Sequence, residues 1–162
     1  ITYDYAMQLQ LKRILISPEE LREKQLIREK QIVDGWEYQL DNNGNVMKDS
    51  LGNDIKVDRI INVRARFSEF IQFKSTQVLA DVVYTDIKTN RILDAFPIDT
   101  EFVFENRFGV YRGDKRALTN NDRALLRQRR IHFPTNEQMV YDSGENLKIQ
   151  LKKIINSYRV RI

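Results

Sequence analysis

Cysteine is absent from the chain. That one absence removes disulfides, thiolate metal sites and cysteine nucleophiles together. Histidine occurs once, as His132, and no HExxH or H-x-E pattern surrounds it. Neither a zinc centre nor a histidine-based dyad has the sequence partners it needs, so no metal site and no cofactor are expected. Long apolar runs are missing too. None exceeds three residues, as at Ile14-Leu15-Ile16, against the roughly 20 that a membrane-spanning helix requires. The chain opens at Ile1 without a basic stretch followed by an apolar one, so any targeting segment is expected to lie outside it.

What is present has the composition of a globular domain with a heavily charged surface, 41% hydrophobic and 31% charged. A chain of 162 residues is long enough for one substantial core. No low-complexity stretch marks a linker, and 1–162 is read as a single domain. The net charge of +4 permits anionic partners without requiring one.

Tyr3, Tyr5, Met7, Leu9 and Leu11 are apolar at every second position and predict a half-buried strand running to residue 16. Ser17-Pro18-Glu19-Glu20 fits the start of a short charged helix over 19–29. Its apolar face is only Leu21, Leu26 and Ile27, so an extended alternative stands beside it. Turn formers recur eight residues apart, at Asp41-Asn42-Asn43-Gly44-Asn45 and Leu51-Gly52-Asn53-Asp54, and predict two short hairpins. Ile61, Val63, Ala65, Phe67, Ile71 and Phe73 are expected on one strand face, with Arg64, Arg66 and Gln72 on the other and Glu69 at a bulge. Val78, Ala80, Val82 and Tyr84 predict a further strand, followed by a turn over 85–90. A return strand from Arg91 to Phe104 contains Pro97, which suits an edge or a bend. Thr119 is placed to cap a helix over 120–129, and Thr135 with Gln138 to cap a longer one over 136–158. Val140, Gly144, Leu147, Leu151, Ile154 and Tyr158 form the stripe of that second helix, with Gly144 expected to allow close approach to a strand. The fold class is α+β, a mainly antiparallel sheet of about four to six strands with the long C-terminal helix packed on it.

Most short motifs fail on spacing. Twelve residues counted from Asp41 end on Gly52 rather than on the acid a calcium loop needs. Gly113-Asp114-Lys115 lacks the spacing of a phosphate loop, and no G-x-S-x-G is present. Arg112-Gly113-Asp114 matches an integrin-adhesion tripeptide, a pattern short enough to arise by chance. Glu69, Glu101 and Glu105 are strand-borne carboxylates that a glycoside-type hydrolase could bring together, or simply solvated strand positions.

One stretch stands out. Between Arg107 and Ile131 lie Arg107, Arg112, Lys115, Arg116, Arg123, Arg127, Arg129 and Arg130 against Asp114 and Asp122, a local excess of 8 − 2 = +6. Arginine predominates, which favours planar contacts with carboxylate or phosphate. Phe108 and Tyr111 set aromatic rings beside it, as in single-strand nucleic-acid binding, although no nucleic-acid motif accompanies them. The candidate binding residues are therefore Phe108, Tyr111, Arg112, Lys115, Arg116, Arg123, Arg127 and Arg130. Their alternative is a solvated or internally paired helix face.

Three stretches, 35–54, 104–118 and Phe133-Pro134-Thr135-Asn136-Glu137-Gln138-Met139, resemble segments of uncharacterised cell-envelope proteins of the Bacteroidota. The strand, the Asp86-x-x-Thr89 turn, the next strand and the long C-terminal helix together are similar in architecture to envelope lipoproteins such as the curli-secretion channel subunit. The resemblance implies an envelope location, periplasmic or associated with the outer membrane. The functional expectation is a non-enzymatic envelope module that binds a protein partner or an anionic surface. A hydrolase of an envelope polymer acting through strand-borne carboxylates is the alternative, and nucleic-acid binding through 107–131 is the second.

Overall fold

The computed structural model describes residues 2–157. In chain order they form β1 Tyr5–Ile16, β2 Glu20–Tyr38, β3 Lys56–Asp86, β4 Arg91–Gly113, a 3-10 turn Lys115–Ala117, α1 Asn120–Leu126 and α2 Asn136–Ser157. β1, β2 and β4 all pair with β3 in one four-stranded sheet. This is an α+β fold with an antiparallel sheet and a long C-terminal helix. The separate strands expected at 60–73 and 78–84 are one strand of 31 residues. The stretch 19–29 is extended, as part of β2, because its half-buried positions Leu26, Arg28, Ile32 and Asp34 alternate with exposed ones in the period of a strand.

Two compact units are distinguished, each assembled from separated stretches. The first comprises the described residues within Ile1–Arg22, Ile71–Asn106 and Arg130–Ile162; the second comprises Glu23–Phe70 and Arg107–Arg129.

In the first unit, β1 runs antiparallel to β3 from Tyr5 opposite Asp86 to Ile16 opposite Thr76, with an irregularity between Leu11 and Arg13. The buried core is Val78, Ala80 and Val82 of β3, Ile98 of β4 and Leu147 of α2, against which Met7, Phe96, Leu151 and Ile154 pack. α2 therefore covers one face of this part of the sheet. Its deepest residues are Met139 and Ser143, both absent from the stripe expected from the sequence, whereas Val140 is half-buried. Gly144 approaches no strand: a Cβ added there would meet nothing within 4 Å. Tyr158, the last member of the expected stripe, lies outside the described residues. β1 buries less than its alternation predicts, since Leu9 and Leu11 remain exposed and only Ala6 and Met7 are half-buried. The turn after β3 closes as expected, with Asp86 Oδ1 accepting from the Lys88 and Thr89 amides at 2.8 and 3.0 Å.

Beside that apolar core is a row of buried polar residues on β3, namely Gln72, Lys74 and Thr76. Gln72 was expected on the exposed face with Arg64 and Arg66. Its burial follows from a change of parity along β3, where the buried positions are Val63, Ala65 and Phe67 up to 67 and Gln72, Lys74 and Thr76 from 72 onward. Ile71 and Phe73 are correspondingly only half-buried. Gln72 donates through Nε2 to the Ile131 carbonyl at 2.7 Å, and its Oε1 accepts from the Ile131 amide at 3.1 Å and from Asn106 Nδ2 at 2.8 Å. Lys74 Nζ donates to the Pro134 carbonyl at 2.7 Å. These side chains bond main-chain groups of Ile131 and Pro134, so the segment entering α2 is held without a strand of its own.

In the second unit, Val63, Ala65 and Phe67 of β3 form the core with Ala117 and Leu118, and Leu26, Ile32, Ile61, Leu125 and Leu126 pack around them. The 3-10 turn and α1 thus cover one sheet face. Gly109 makes that cover possible, because a Cβ there would lie 2.6 Å from Phe67 Cζ. The 39–55 region carries the same Asp-x-x-Gly-Asn loop twice. Asp41 Oδ1 accepts from the amides of Asn43 and Asn45, and Asp49 Oδ1 from those of Leu51 and Asn53. Gly44 and Gly52 both take φ of +84°. The two expected hairpins are joined by a ring of three backbone bonds, Gln39 N–H to Ile55 C=O, Ile55 N–H to Met47 C=O and Met47 N–H to Gln39 C=O.

α1 is shorter than expected, ending at Leu126. Thr119 and Asp122 form a reciprocal capping box at its start. The Asp122 carboxylate also accepts two bonds from Arg28 of β2, at 2.9 and 3.0 Å. Burial pushes the Asp122 carboxyl up, but the Arg28 bond and the Thr119 amide outweigh it and hold the group below its ordinary value.

Leu147→Ala is expected to lower stability by about 2 to 5 kcal/mol, and Gln72→Ala by about 1 to 3 kcal/mol through the unpaired Ile131 backbone, both read from urea unfolding. A midpoint unchanged in both variants removes the packing described. A depressed carboxyl stabilises the folded state above its unfolded value near pH 4, and that contribution is lost as pH falls through the folded value. The stability difference between the native chain and Asp122→Asn should therefore shrink as pH is taken from about 7 towards about 2. A constant difference contradicts the assignment.

Candidate functional site

The basic segment enters the second unit as the end of β4, the 3-10 turn and α1. Phe108 is buried and stacks on Phe70 with ring centroids 5.0 Å apart and planes 9° apart, so its face is used internally. Tyr111 is partly exposed. Arg116 is committed to carboxylates: it binds Asp114 through Nε and Nη2 and reaches Asp34 at 3.1 Å through Nη1. The Asp114 bond raises the Arg116 guanidinium further above its ordinary value, and Arg116 holds the Asp114 carboxyl below its own. Arg107 bonds Glu69 at 3.4 Å.

The remaining cations are differently placed. Lys115 is exposed and forms no ion pair among the described residues, while its carbonyl accepts a bond from Arg123 at 3.4 Å. Arg123 lies on α1, and Arg127 is the C-cap that ends it; both are exposed. Arg130 is exposed in the first unit, beyond the helix. His132 is exposed between Ile131, held by Gln72, and Pro134, held by Lys74.

Of the strand carboxylates, Glu69 is held by Arg107 in the second unit, and Glu101 and Glu105 belong to the first. The Glu101 carbonyl accepts from Asn146 of α2 at 3.3 Å. Among the described residues no group of three or more His, Asp and Glu side chains is placed to hold a metal.

Alternation from the buried Val63, Ala65 and Phe67 puts Arg64, Arg66 and Ser68 on the face of the second unit's sheet away from the 3-10 turn and α1, where the two arginines are exposed and Ser68 is buried. The Asp114 amide bonds the Arg64 carbonyl at 2.9 Å, and continuing that antiparallel pairing by two residues sets Arg66 opposite Arg112. Both arginines line a hollow of about 320 Å³ with Glu23, Gln25, Ser68, Val110 and Tyr111. They also line a second hollow with Ile27, Arg64, Ala65 and Gly113. Arg64 is paired with Glu29 at 3.3 Å, whereas Arg66 and Arg112 have no carboxylate partner among the described residues.

Sequence reasoning named Arg112 and Tyr111 but left Arg66, Ser68, Glu23 and Gln25 out of the site. The alternation of Arg64 and Arg66 with Val63, Ala65 and Phe67 was the available signal for the open face. The match of Arg66 to Arg112 needs the strand register. No helix among the described residues is long and apolar enough to cross a membrane. No protein-family profile matches the chain, and neither a curated protein nor a solved structure matches it significantly.

Proposed function

We propose that this chain is a non-enzymatic binding module of the cell envelope that takes an acidic protein partner or an anionic surface through its basic segment. The observation that supports the reading is how the segment's charges are disposed. Arg107 and Arg116 are neutralised by Glu69, Asp114 and Asp34, while Arg112, Lys115, Arg123 and Arg127 stand without a carboxylate among the described residues. Like charges left close together on a fold repel one another, a cost that an anionic partner removes. The envelope location rests on the resemblance of 35–54, 104–118 and 133–139 to envelope proteins. Burial of Phe108 takes away one of the two rings on which the nucleic-acid reading depended.

Arg123→Glu combined with Arg127→Glu is expected to leave the melting midpoint nearly unchanged, since both side chains are exposed, and to reduce retention on a polyaspartate matrix. Retention of the native chain should also weaken as salt rises through about 0.15 M, where screening shortens to roughly 8 Å. Retention that is insensitive to both salt and substitution overturns the proposal.

A further inference from the structure

We propose that the open face of the second unit's sheet is a docking groove for an acidic peptide segment of a partner protein, with a peptide carboxylate held between the Arg66 and Arg112 guanidiniums. This rests on the reading of the chain as a binding module for an acidic partner and places the specific contact on the sheet face away from α1.

The register is the first reason. Two like charges directly opposite one another on adjacent strands destabilise a sheet. Elsewhere in this unit an exposed arginine on a strand has a nearby acid: Arg59 bonds Asp34 at 2.9 Å, Arg64 meets Glu29 at 3.3 Å and Arg107 meets Glu69 at 3.4 Å. Arg66 and Arg112 break that pattern: among the described residues neither forms an ion pair, although Glu23 lines the same hollow. The pairing of Arg64 with Glu29 places Ile27 rather than an acid beside Arg66 on β2. A carboxylate between the two forks supplies the missing partner, and guanidinium planes match carboxylate geometry through paired N–H donors.

The lining is the second reason, and it selects a peptide over other anions. Ile27 and Val110 offer apolar contact, and the exposed Gln25 offers a hydrogen-bonding side chain beside the arginines. Glu23, which accepts a bond from Gln25 at 3.1 Å, adds a negative charge at the same hollow. A uniformly anionic lipid surface or a polyphosphate would face that carboxylate. A peptide can set its acidic side chain on the arginines and turn amide N–H groups or an apolar residue towards β2. Since β4 pairs with β3 alone, no further strand of this chain closes the groove on that side among the described residues.

The test measures binding of a fluorescent Glu/Asp-rich peptide by polarisation. Arg66→Gln with Arg112→Gln is expected to weaken binding by about tenfold or more without lowering the melting midpoint, and by more than Arg123→Glu with Arg127→Glu on α1 does, while Lys152→Gln with Lys153→Gln, exposed on α2 of the first unit, changes it by no more than about threefold. Arg66→Lys with Arg112→Lys keeps the charge and loses the forks. It should also weaken binding several-fold, and it decides the matter if the glutamine variant fails to fold. Peptide affinity that is unchanged in the groove variants but lost in the α1 variant overturns the groove and leaves the binding-module reading standing. Absence of peptide binding overturns both. Binding of phosphatidylglycerol vesicles or inorganic phosphate that depends on Arg66 and Arg112 and excludes the peptide overturns the assignment of the occupant.

Discussion

Strand β3 contributes to two apolar cores, one in each compact unit, and the placement of the other elements follows from which of its residues it buries in each. Up to Phe67 its odd-numbered residues are buried, beneath the 3-10 turn and α1; from Gln72 its even-numbered ones are, with Val78, Ala80 and Val82 beneath α2. Successive residues of a pleated strand point to opposite faces, and the change falls at Phe67 and Ser68, adjacent residues that are both buried. Each core then recruits the covers its sequence can supply, and both helices lie where an apolar row of β3 would otherwise meet water.

Polar residues do much of the fixing that apolar burial leaves open. Arg28, Asp122 and Thr119 join β2 to the start of α1 through one buried carboxylate, which serves as helix cap and ion-pair partner together. Gln72 and Lys74 serve the first unit in a different way, by bonding backbone groups of an extended segment. The same sorting separates the arginines. Those that tie elements together, Arg64 included, carry acids beside them, whereas Arg66 and Arg112 on the sheet face and Arg123 and Arg127 at α1 form no ion pair among the described residues.

Much of this was legible in the sequence because period-two alternation and turn chemistry are local. β1, the Asp86 turn, both capping threonines and the covering role of the C-terminal helix follow from residues close to one another in the chain. What escaped depended on partners far apart. Gln72 looks like a solvated strand residue until Ile131 is placed beside it, 59 positions later. Phe108 looks like a stacking platform until Phe70 covers it. The 19–29 stretch carries a helix-start signal that strand pairing overrides, and the Asp-x-x-Gly-Asn repeat reads as two independent hairpins because the ring joining Gln39, Met47 and Ile55 is made by backbone atoms alone. The candidate site was half legible. Its charge lies in the composition of 107–131, but the meeting of Arg66 with Arg112 depends on register.

The way Gln72 and Lys74 grip the chain has a consequence for how the sequence can change over time. Both reach main-chain atoms, at Ile131 and Pro134, and such atoms are common to nearly every amino acid. The two anchors on β3 are therefore constrained, as is Phe133, whose ring meets that of Phe104 edge-on, while exposed positions such as His132 are free to drift without loosening the segment. Among related chains, variation should concentrate on the outward residues of this stretch and spare the amide and ammonium groups beneath it, so that new surface chemistry can be tried on a backbone already tethered at both ends.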